Sequence, residues 1–282
     1  MNVLIVGGNS SLAKSLKPLL SEFSEVITAG RSNCDILLDL NDPIEKMSFP
    51  SNIDTIIHTA ASFGGKSAKE IIDAENVNVL GTLKLCQAAV EANAKHFILI
   101  SSIYAGLNEN SEQYNIYAIS KKQSEEVAKY YCSAHSLPLT IIRPSQMYGI
   151  GNIFRVHQPF LYQMIDKAEK GEDVNLYGSN DPLRNYIYID DLAKIIVKIV
   201  QNKVEGKYSC TQTTDVTYSQ IAKAAFAAFN SKGTVHFLKD KPDIPDNIFD
   251  KDDSLYKKIN YYPETSIEEG IKKIALSKGV RI

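Results

Sequence analysis

Residues 1–20 read MNVLIVGGNSSLAKSLKPLL. The apolar run Val3–Val6 predicts a short strand covered on both faces, and the apolar spacing over Ser11–Phe23 predicts a helix. A turn, Gly7-Gly8-Asn9-Ser10, joins them. Where a parallel strand feeds a helix in this way, the first backbone N–H groups of the helix converge and its dipole favours an anion. In the dinucleotide fingerprint one glycine makes the tight turn, a second lets the backbone approach a pyrophosphate, and a third permits close helix–strand packing. Gly7 supplies the first. Ser10 stands at the second, small and able to offer its hydroxyl to a phosphate, and Ala13 stands at the third, which the pattern tolerates. Two readings stay open at this point: a nucleotide cradle, or a serine N-cap on a core helix.

The chain outside this stretch decides the fold class. Val26–Ala29, Thr55–His58, Phe97–Ile100 and Leu139–Ile142 repeat the Val/Ile-rich, non-alternating pattern, and helical patterns over Ala68–Ala92 and Ile116–Ala134 separate them. Regular strand–helix alternation implies a parallel sheet with right-handed crossovers, an α/β doubly wound fold of Rossmann type. After Pro144 the rhythm changes. Helices are predicted near Phe154–Lys170, Asp190–Gln201, Tyr218–Phe229 and Ile267–Ala275, with strands near Val174–Tyr177, Tyr186–Ile189 and Val235–Leu238. The expected organisation is a nucleotide-binding domain over 1–150 plus about 184–205, and a small C-terminal α/β substrate-binding domain over about 151–183 and 206–282. The segment KDKPDIPDNIFDKDD (239–253) reads as a solvated loop, of a kind that can also border a substrate cleft.

Bulk composition is that of an ordinary globular chain: 282 residues, 44% hydrophobic, 23% charged, with 31 Lys+Arg against 33 Asp+Glu. A net charge of −2 gives no electrostatic case for binding nucleic acid or a membrane surface. Cys34, Cys86, Cys132 and Cys210 are scattered, with no Cys-x-x-Cys pair and no metal-ligand spacing; they read as buried small hydrophobes in a reducing compartment, and no metal site is expected. Val3–Val6 is too short for a signal peptide and no run reaches membrane-spanning length, so a cytoplasmic location is the default expectation.

Residues 98–121, ILISSIYAGLNENSEQYNIYAISK, supply the chemistry. A buried strand ends in Ser101-Ser102, and Tyr117 and Lys121 follow at i and i+4 of a helix, which puts phenol and ammonium on one face. Tyr114 has no such partner, since Ala118 occupies its i+4 position. The pattern resembles the active site of the short-chain dehydrogenase/reductase superfamily, a Ser followed by Tyr-x-x-x-Lys. HTAAS (58–62), NVLGT (78–82), IIRPSQMYG (141–149) and LYGSNDPLRNYIYIDDLAKII (176–196) resemble motifs of its extended branch, the nucleotide-sugar epimerase, dehydratase and reductase group.

The resemblance implies roles. Tyr117 would exchange a proton with the substrate oxygen, Ser102 would hold that oxygen, and Lys121 would grip the nicotinamide ribose. A free phenol titrates near about 10, so the ammonium and the cofactor ring are expected to lower it by roughly three units, about 4 kcal/mol of differential interaction. The cofactor would meet Gly7, Asn9, Ser10, the backbone of Ser11 and Leu12, Asp39 and Leu40 beside adenine, Thr59, Ala60, Ala61, Asn78 and Pro144. Ser62, Gln146 and Arg184 would face a nucleotide-diphosphate sugar, the Arg184 guanidinium on its diphosphate. NAD-preferring members carry an acid at the end of the second strand. Here Gly30 is followed by Arg31 and Ser32, which suit a 2′-phosphate, so NADP(H) is expected ahead of NAD(H). Dehydratases add an acidic pair after the strand-five hydroxyl residue, where this chain has Ile103 and Tyr104. The expected function is an NADPH-dependent reductase of a 4-keto (6-deoxy) nucleotide sugar. The alternatives are a 4-epimerase with tightly held NAD, and a non-catalytic NADP-binding sensor of the same fold. A homodimer through the two long helices is a further implication of the resemblance.

Overall fold

The computed structural model describes residues 1–281. In chain order its elements are β1 (Asn2–Val6), α1 (Ser11–Ser21), β2 (Glu25–Gly30), β3 (Ile36–Leu37), β4 (Thr55–His58), α2 (Ala68–Glu75), α3 (Gly81–Glu91), β5 (His96–Ile100), α4 (Ile116–Ala134), β6 (Leu139–Pro144), β7 (Gln146–Tyr148), α5 (Asn152–His157), α6 (Pro159–Lys170), β8 (Val174–Tyr177), β9 (Leu183–Arg184), β10 (Tyr186–Tyr188), α7 (Ile189–Asn202), β11 (Gly206–Cys210), β12 (Val216–Thr217), α8 (Tyr218–Ala228), β13 (Val235–Leu238), α9 (Ser254–Ile259) and α10 (Ile267–Ser277).

Seven strands form one sheet in the order β11-β6-β5-β4-β1-β2-β3, every neighbouring pair parallel. β4 and β5 are buried along their whole length. That burial explains why their sequences show no polar alternation. Leu4, Val6, Ile56, Phe97 and Leu99 on one face of the sheet pack with Leu85, Ala88 and Ala89 of α3 and Ala128 and Cys132 of α4. Val3 and Ile5, which alternation sends to the opposite face, are equally buried. The strand order reverses at β1, which pairs with β2 on one side and β4 on the other. In an open α/β sheet such a switch point leaves a crevice beyond the carboxyl ends of the strands.

Two compact units emerge from the contacts. The first comprises Met1–Pro144, Ala193–Cys210 and Asp252–Tyr261; the second comprises Ser145–Leu192, Thr211–Lys251 and the chain from Tyr262 onward. The second is itself α/β, with two-stranded pairings β7–β10, β8–β13 and β9–β12, and α8 packed against α6 and α10.

Several local expectations differ from what is observed. The periodicity predicts one helix over Ala68–Ala92, but a π-helical turn, Asn76–Leu80, interrupts it. Gly81 follows that turn at a close approach to another segment: a Cβ there would lie 3.0 Å from Leu40 Cβ. The helix predicted over Phe154–Lys170 breaks at Gln158, because Pro159 starts a new helix without an N–H to give. Residues 206–210, given to the second domain by the sequence, pair with β6 in the central sheet, and α9 packs on that strand. The segment 239–253 is not simply solvated. The Asp243 carboxylate accepts from the N–H groups of Ser179 and Asn180, and Asp246 accepts from Leu183 N. No helix among the described residues is long and apolar enough to cross a membrane.

Candidate active site

The turn after β1 sits at the switch point. Gly7 has φ +86°, and a Cβ there would lie 2.7 Å from both Ala60 N and Thr59 Oγ1, so only glycine fits the turn and its contact with the end of β4. Ser10 is the N-cap of α1, its hydroxyl accepting from Ala13 N at 3.1 Å. The same hydroxyl lies 2.9 Å from Thr59 Oγ1, which bonds back to the Val6 carbonyl. Ser10 therefore acts as an N-cap, and its hydroxyl is engaged within the protein rather than held out for a phosphate. The two readings of the opening stretch are compatible, because capping by Ser10 leaves the first-turn N–H groups of Ser11 and Leu12 with no acceptor in the helix. No acidic side chain stands in the first turn of α1. A pyrophosphate fits such a cradle.

β2 ends at Gly30, with Arg31 and Ser32 exposed beyond it. Asn9 Nδ2 donates to Ser32 O at 2.5 Å, tying this segment to the first turn. Cys34 is half-buried rather than buried; its Sγ would lie 3.0 Å from a Cβ placed on either Gly8 or Gly30. The nearby acid, Asp35, is turned back onto β2, accepting from Thr28 Oγ1 at 2.7 Å and Thr28 N at 2.8 Å. The Thr28 hydroxyl, then its N–H, holds this carboxyl below the ordinary aspartate range. Asp39 accepts from Asn41 N and Nδ2, and Leu40 is buried with its carbonyl accepting from Lys84 Nζ.

Three consecutive residues at the end of β5 organise the centre. The Ile100 carbonyl accepts from Lys121 Nζ at 2.8 Å. The Ser101 hydroxyl donates to Glu125 Oε1 at 2.5 Å. Ser102 is buried, and its hydroxyl accepts from Tyr104 N and bears on the Tyr117 phenol. Tyr117 and Lys121 lie one turn apart on α4, whose N-cap is Asn115, accepting from Ala118 N. The Tyr117 ring stacks on Phe63, centroids 4.8 Å apart and planes 20° apart.

The expected lowering of the Tyr117 phenol counts on the charge of a cofactor ring; the protein's own groups act on balance in the opposite direction. Burial pushes Tyr117 up to about 12, against a smaller downward pull from the Ser102 hydroxyl. Burial brings Lys121 down to about 8, and the Glu125 carboxylate opposes that fall. His58, buried at the end of β4, is held neutral, its pKa lowered to about 3 by desolvation and by the Lys121 charge.

Asn78 lies in the π turn at 1% exposure, its amide making three hydrogen bonds. Its Oδ1 accepts from Ser62 N at 2.8 Å, and its Nδ2 donates to Ser62 O at 2.7 Å and Ser120 Oγ at 2.9 Å. It organises the Ser62 turn; both amide hydrogens are used, and Oδ1 keeps one acceptor position. Ala60 is half-buried and Ala61 exposed beyond β4, while Pro144 closes β6.

The other two expected site residues belong to the second unit. Gln146 Nε2 donates to Gln158 Oε1 at 3.2 Å, and Gln146 Oε1 is buried without a hydrogen-bond partner. Arg184 is buried, its Nε donating to Tyr218 Oη at 2.7 Å and its Nη1 to the Leu183 and Pro245 carbonyls. Its guanidinium also lies 4.4 Å over the Tyr218 ring. Much of its donor fork thus holds the 183–245 region together.

Sequence reasoning missed the bracing Thr59 side chain, the Phe63 stack, and the carboxylate beneath the centre. Glu125 had a legible signal: it continues the i, i+4 row from Tyr117 through Lys121. Nothing in the sequence marks Phe63, which depends on the path of the Gly64-Gly65 turn.

A family model, NAD dependent epimerase/dehydratase family, matches residues 3–210. Among curated proteins, CDP-abequose synthase of Salmonella typhimurium is 27% identical over 162 residues, 57% of this chain and 53% of that protein. The match thus spans about half the length of that relative. A probable UDP-glucuronate 4-epimerase of Rhizobium meliloti is 27% identical over 265 residues, 78% of this chain and 73% of that protein. Among solved structures, UDP-N-acetylglucosamine 4-epimerase from Bacillus cereus superposes with a TM-score of 0.80 at 20% identity, covering 98% of this chain and 99% of that one. UDP-glucose 4-epimerase from Thermotoga maritima gives 0.77 at 19%, covering both chains fully. At these identities the structural likeness speaks for the fold.

Proposed function

Because the chain belongs to the NAD dependent epimerase/dehydratase family, whose members are NAD(P)-dependent enzymes, we propose that it is an NADPH-dependent reductase of a 4-keto-6-deoxy nucleotide sugar. The observation that carries this reading is the placement of Ser102 at the end of β5 beside Tyr117 and Lys121 on one face of α4, with Ile103 and Tyr104 where a dehydratase would carry acids. The Tyr117 phenol, protonated at neutral pH, would be the proton donor. Reduction of a ketone needs a proton donor at its first step, whereas a 4-epimerase needs an acceptor for the C4 hydroxyl proton.

NADPH, held at the turn after β1, would supply the hydride to C4. The Tyr117 Oη gives its proton to the C4 oxygen, which becomes the product hydroxyl. Ser102 donates a hydrogen bond to that oxygen as charge builds on it. The phenolate left on Tyr117 faces the Lys121 ammonium one turn along α4, and a solvent proton restores it. The chain would hold the cofactor at the Gly7–Leu12 turn, with Arg31 and Ser32 toward a 2′-phosphate. Asp35, the acid nearest the end of β2, is committed to Thr28, which supports NADP(H) over NAD(H). The second unit would carry the sugar nucleotide, with Gln146, whose buried Oε1 has no hydrogen-bond partner, among its contacts. Arg184 would meet the diphosphate only with the part of its fork that Tyr218 and the carbonyls leave over.

The test is stoichiometry. UDP-4-keto-6-deoxy-D-glucose and other 4-keto sugar nucleotides are offered with NADPH, and loss of absorbance at 340 nm is compared with product formed. One NADPH consumed per product supports the reductase. Turnover without net oxidation, with nucleotide retained through purification, supports a 4-epimerase, the second reading that the name of the Rhizobium relative favours.

Cofactor choice has its own test. Arg31→Ala is expected to raise the KM for NADPH about tenfold, the loss of one charge-assisted hydrogen bond, and to leave the KM for NADH in place. An equal change for both cofactors would remove the 2′-phosphate role.

A further inference from the structure

Beneath the proposed centre lies a buried carboxylate that the reaction above does not use. Glu125 is 4% exposed, on the inner face of α4 one turn beyond Lys121. Arg143 of β6 grips it through two bonds, Nε to Oε1 at 2.7 Å and Nη2 to Oε2 at 2.6 Å. Ser101 adds a third at 2.5 Å. Arg143 is itself confined, since a Cβ on Gly106 would stand 3.0 Å from its Nη1. A fork–fork pair of this kind fixes orientation as well as charge. A buried ion pair is weak evidence for stability, because replacing it with apolar side chains is often neutral. Its placement beside Lys121 suggests a different use.

We propose that Glu125 is a positioning residue for catalysis: its carboxylate, oriented by Ser101 and Arg143, keeps the neighbouring Lys121 amine in its ammonium form beside Tyr117. The groups around Lys121 are few. On its own helix stand Tyr117 and Glu125; β4 presents His58, which is neutral; β5 presents the Ile100 carbonyl and Ser101; β6 presents Arg143; the π turn presents the neutral Asn78; and α2 carries Glu75. Of these, Glu125 is the one whose charge raises the amine, against desolvation that lowers it. Arg143, bound to both carboxylate oxygens, moderates that field.

The sign follows. Lys121 titrates near about 8, so its ammonium, and the activity that depends on it, is present below that pH and lost above it. The phenol of Tyr117, near about 12, does not limit this range. The inference rests on the proposed role of Lys121 in reduction, and the experiment separates the two. Protein labelled with ¹³Cε-lysine is titrated without cofactor, the Lys121 resonance being the one missing in Lys121→Met. E125Q, which keeps the shape and the acceptor for Arg143, is expected to lower this titration by about one unit. R143Q is expected to raise it by about half a unit, and R143K to restore it. The basic limb of kcat/KM for NADPH-dependent reduction of UDP-4-keto-6-deoxy-D-glucose moves with each. Opposite shifts cannot come from simple loosening of the core. Shifts of one sign in E125Q and R143Q, or none, overturn the inference. Expected shifts together with an active Lys121→Met leave the charge relay standing and overturn the role of Lys121.

Discussion

Tyr117→Phe is expected to lower kcat for reduction by about 10²–10⁴-fold, the range that a positioned general acid contributes. The substitution removes one oxygen and little else. Phe keeps the ring, and with it the stack on Phe63 at 4.8 Å, so the Ser62–Gly65 turn has no reason to move. What is lost is the proton bound for the C4 oxygen and the hydroxyl that Ser102 engages. NADPH binding, followed by its fluorescence in a titration, is expected to stay unchanged, because the turn after β1 does not depend on the phenol. A tenfold or smaller loss of kcat would mean that another group gives the proton. NADPH binding by the parent chain with no turnover of any 4-keto or 4-hydroxy sugar nucleotide would turn the chain from enzyme to sensor.

Asn78→Ala is expected to act on stability first. The amide makes three hydrogen bonds at 1% exposure, two to the peptide groups of Ser62 and one to Ser120. Alanine fills none of them. Ser62 N–H and C=O lose their partner, and α4 loses its tie to the π turn. Leaving buried groups unpaired costs about 1–3 kcal/mol each, and partial access of water to the Ser62 turn brings the expected total to about 3 kcal/mol. For a chain of this size that is a fall in Tm of roughly 6–12 °C, read by circular dichroism. The Ser62 turn also carries Phe63, so kcat/KM is expected to fall with it at temperatures well below Tm. A variant with an unshifted Tm would show that the π turn holds its shape without the amide.

The fold was legible in the sequence to the extent that burial writes itself into composition. Strands covered on both faces have no room for polar side chains, so β1, β4 and β5 stand out as apolar runs. β11 did not, because Gly206–Cys210 reads GKYSC with its first two residues exposed; an edge strand is held by pairing, which leaves little mark on side chains. The π turn was equally silent, since one extra residue in a helical turn changes register and not composition. For the site, resemblance located Ser102, Tyr117 and Lys121, and i, i+4 spacing explained why the last two belong together. What spacing could not say is where a long side chain ends. The Lys121 amine goes to the Ile100 carbonyl, the Asn78 amide to the Ser62 peptide groups, and the Arg184 fork to Tyr218 and the Pro245 carbonyl. Each destination depends on atoms far away in sequence.

The seventh strand of the sheet has a consequence for synthesis. When residues 1–144 have left the ribosome, six strands can pair, but the outer edge of β6 waits for Gly206–Cys210, and the helix that packs on that strand, α9, arrives only at 254–259. An open strand edge invites pairing with another chain. For the time needed to make more than sixty further residues, about 3–12 s at ordinary elongation rates, the nascent chain carries that edge bare. Stop codons placed between 145 and 205 should therefore yield aggregates rather than a smaller soluble protein.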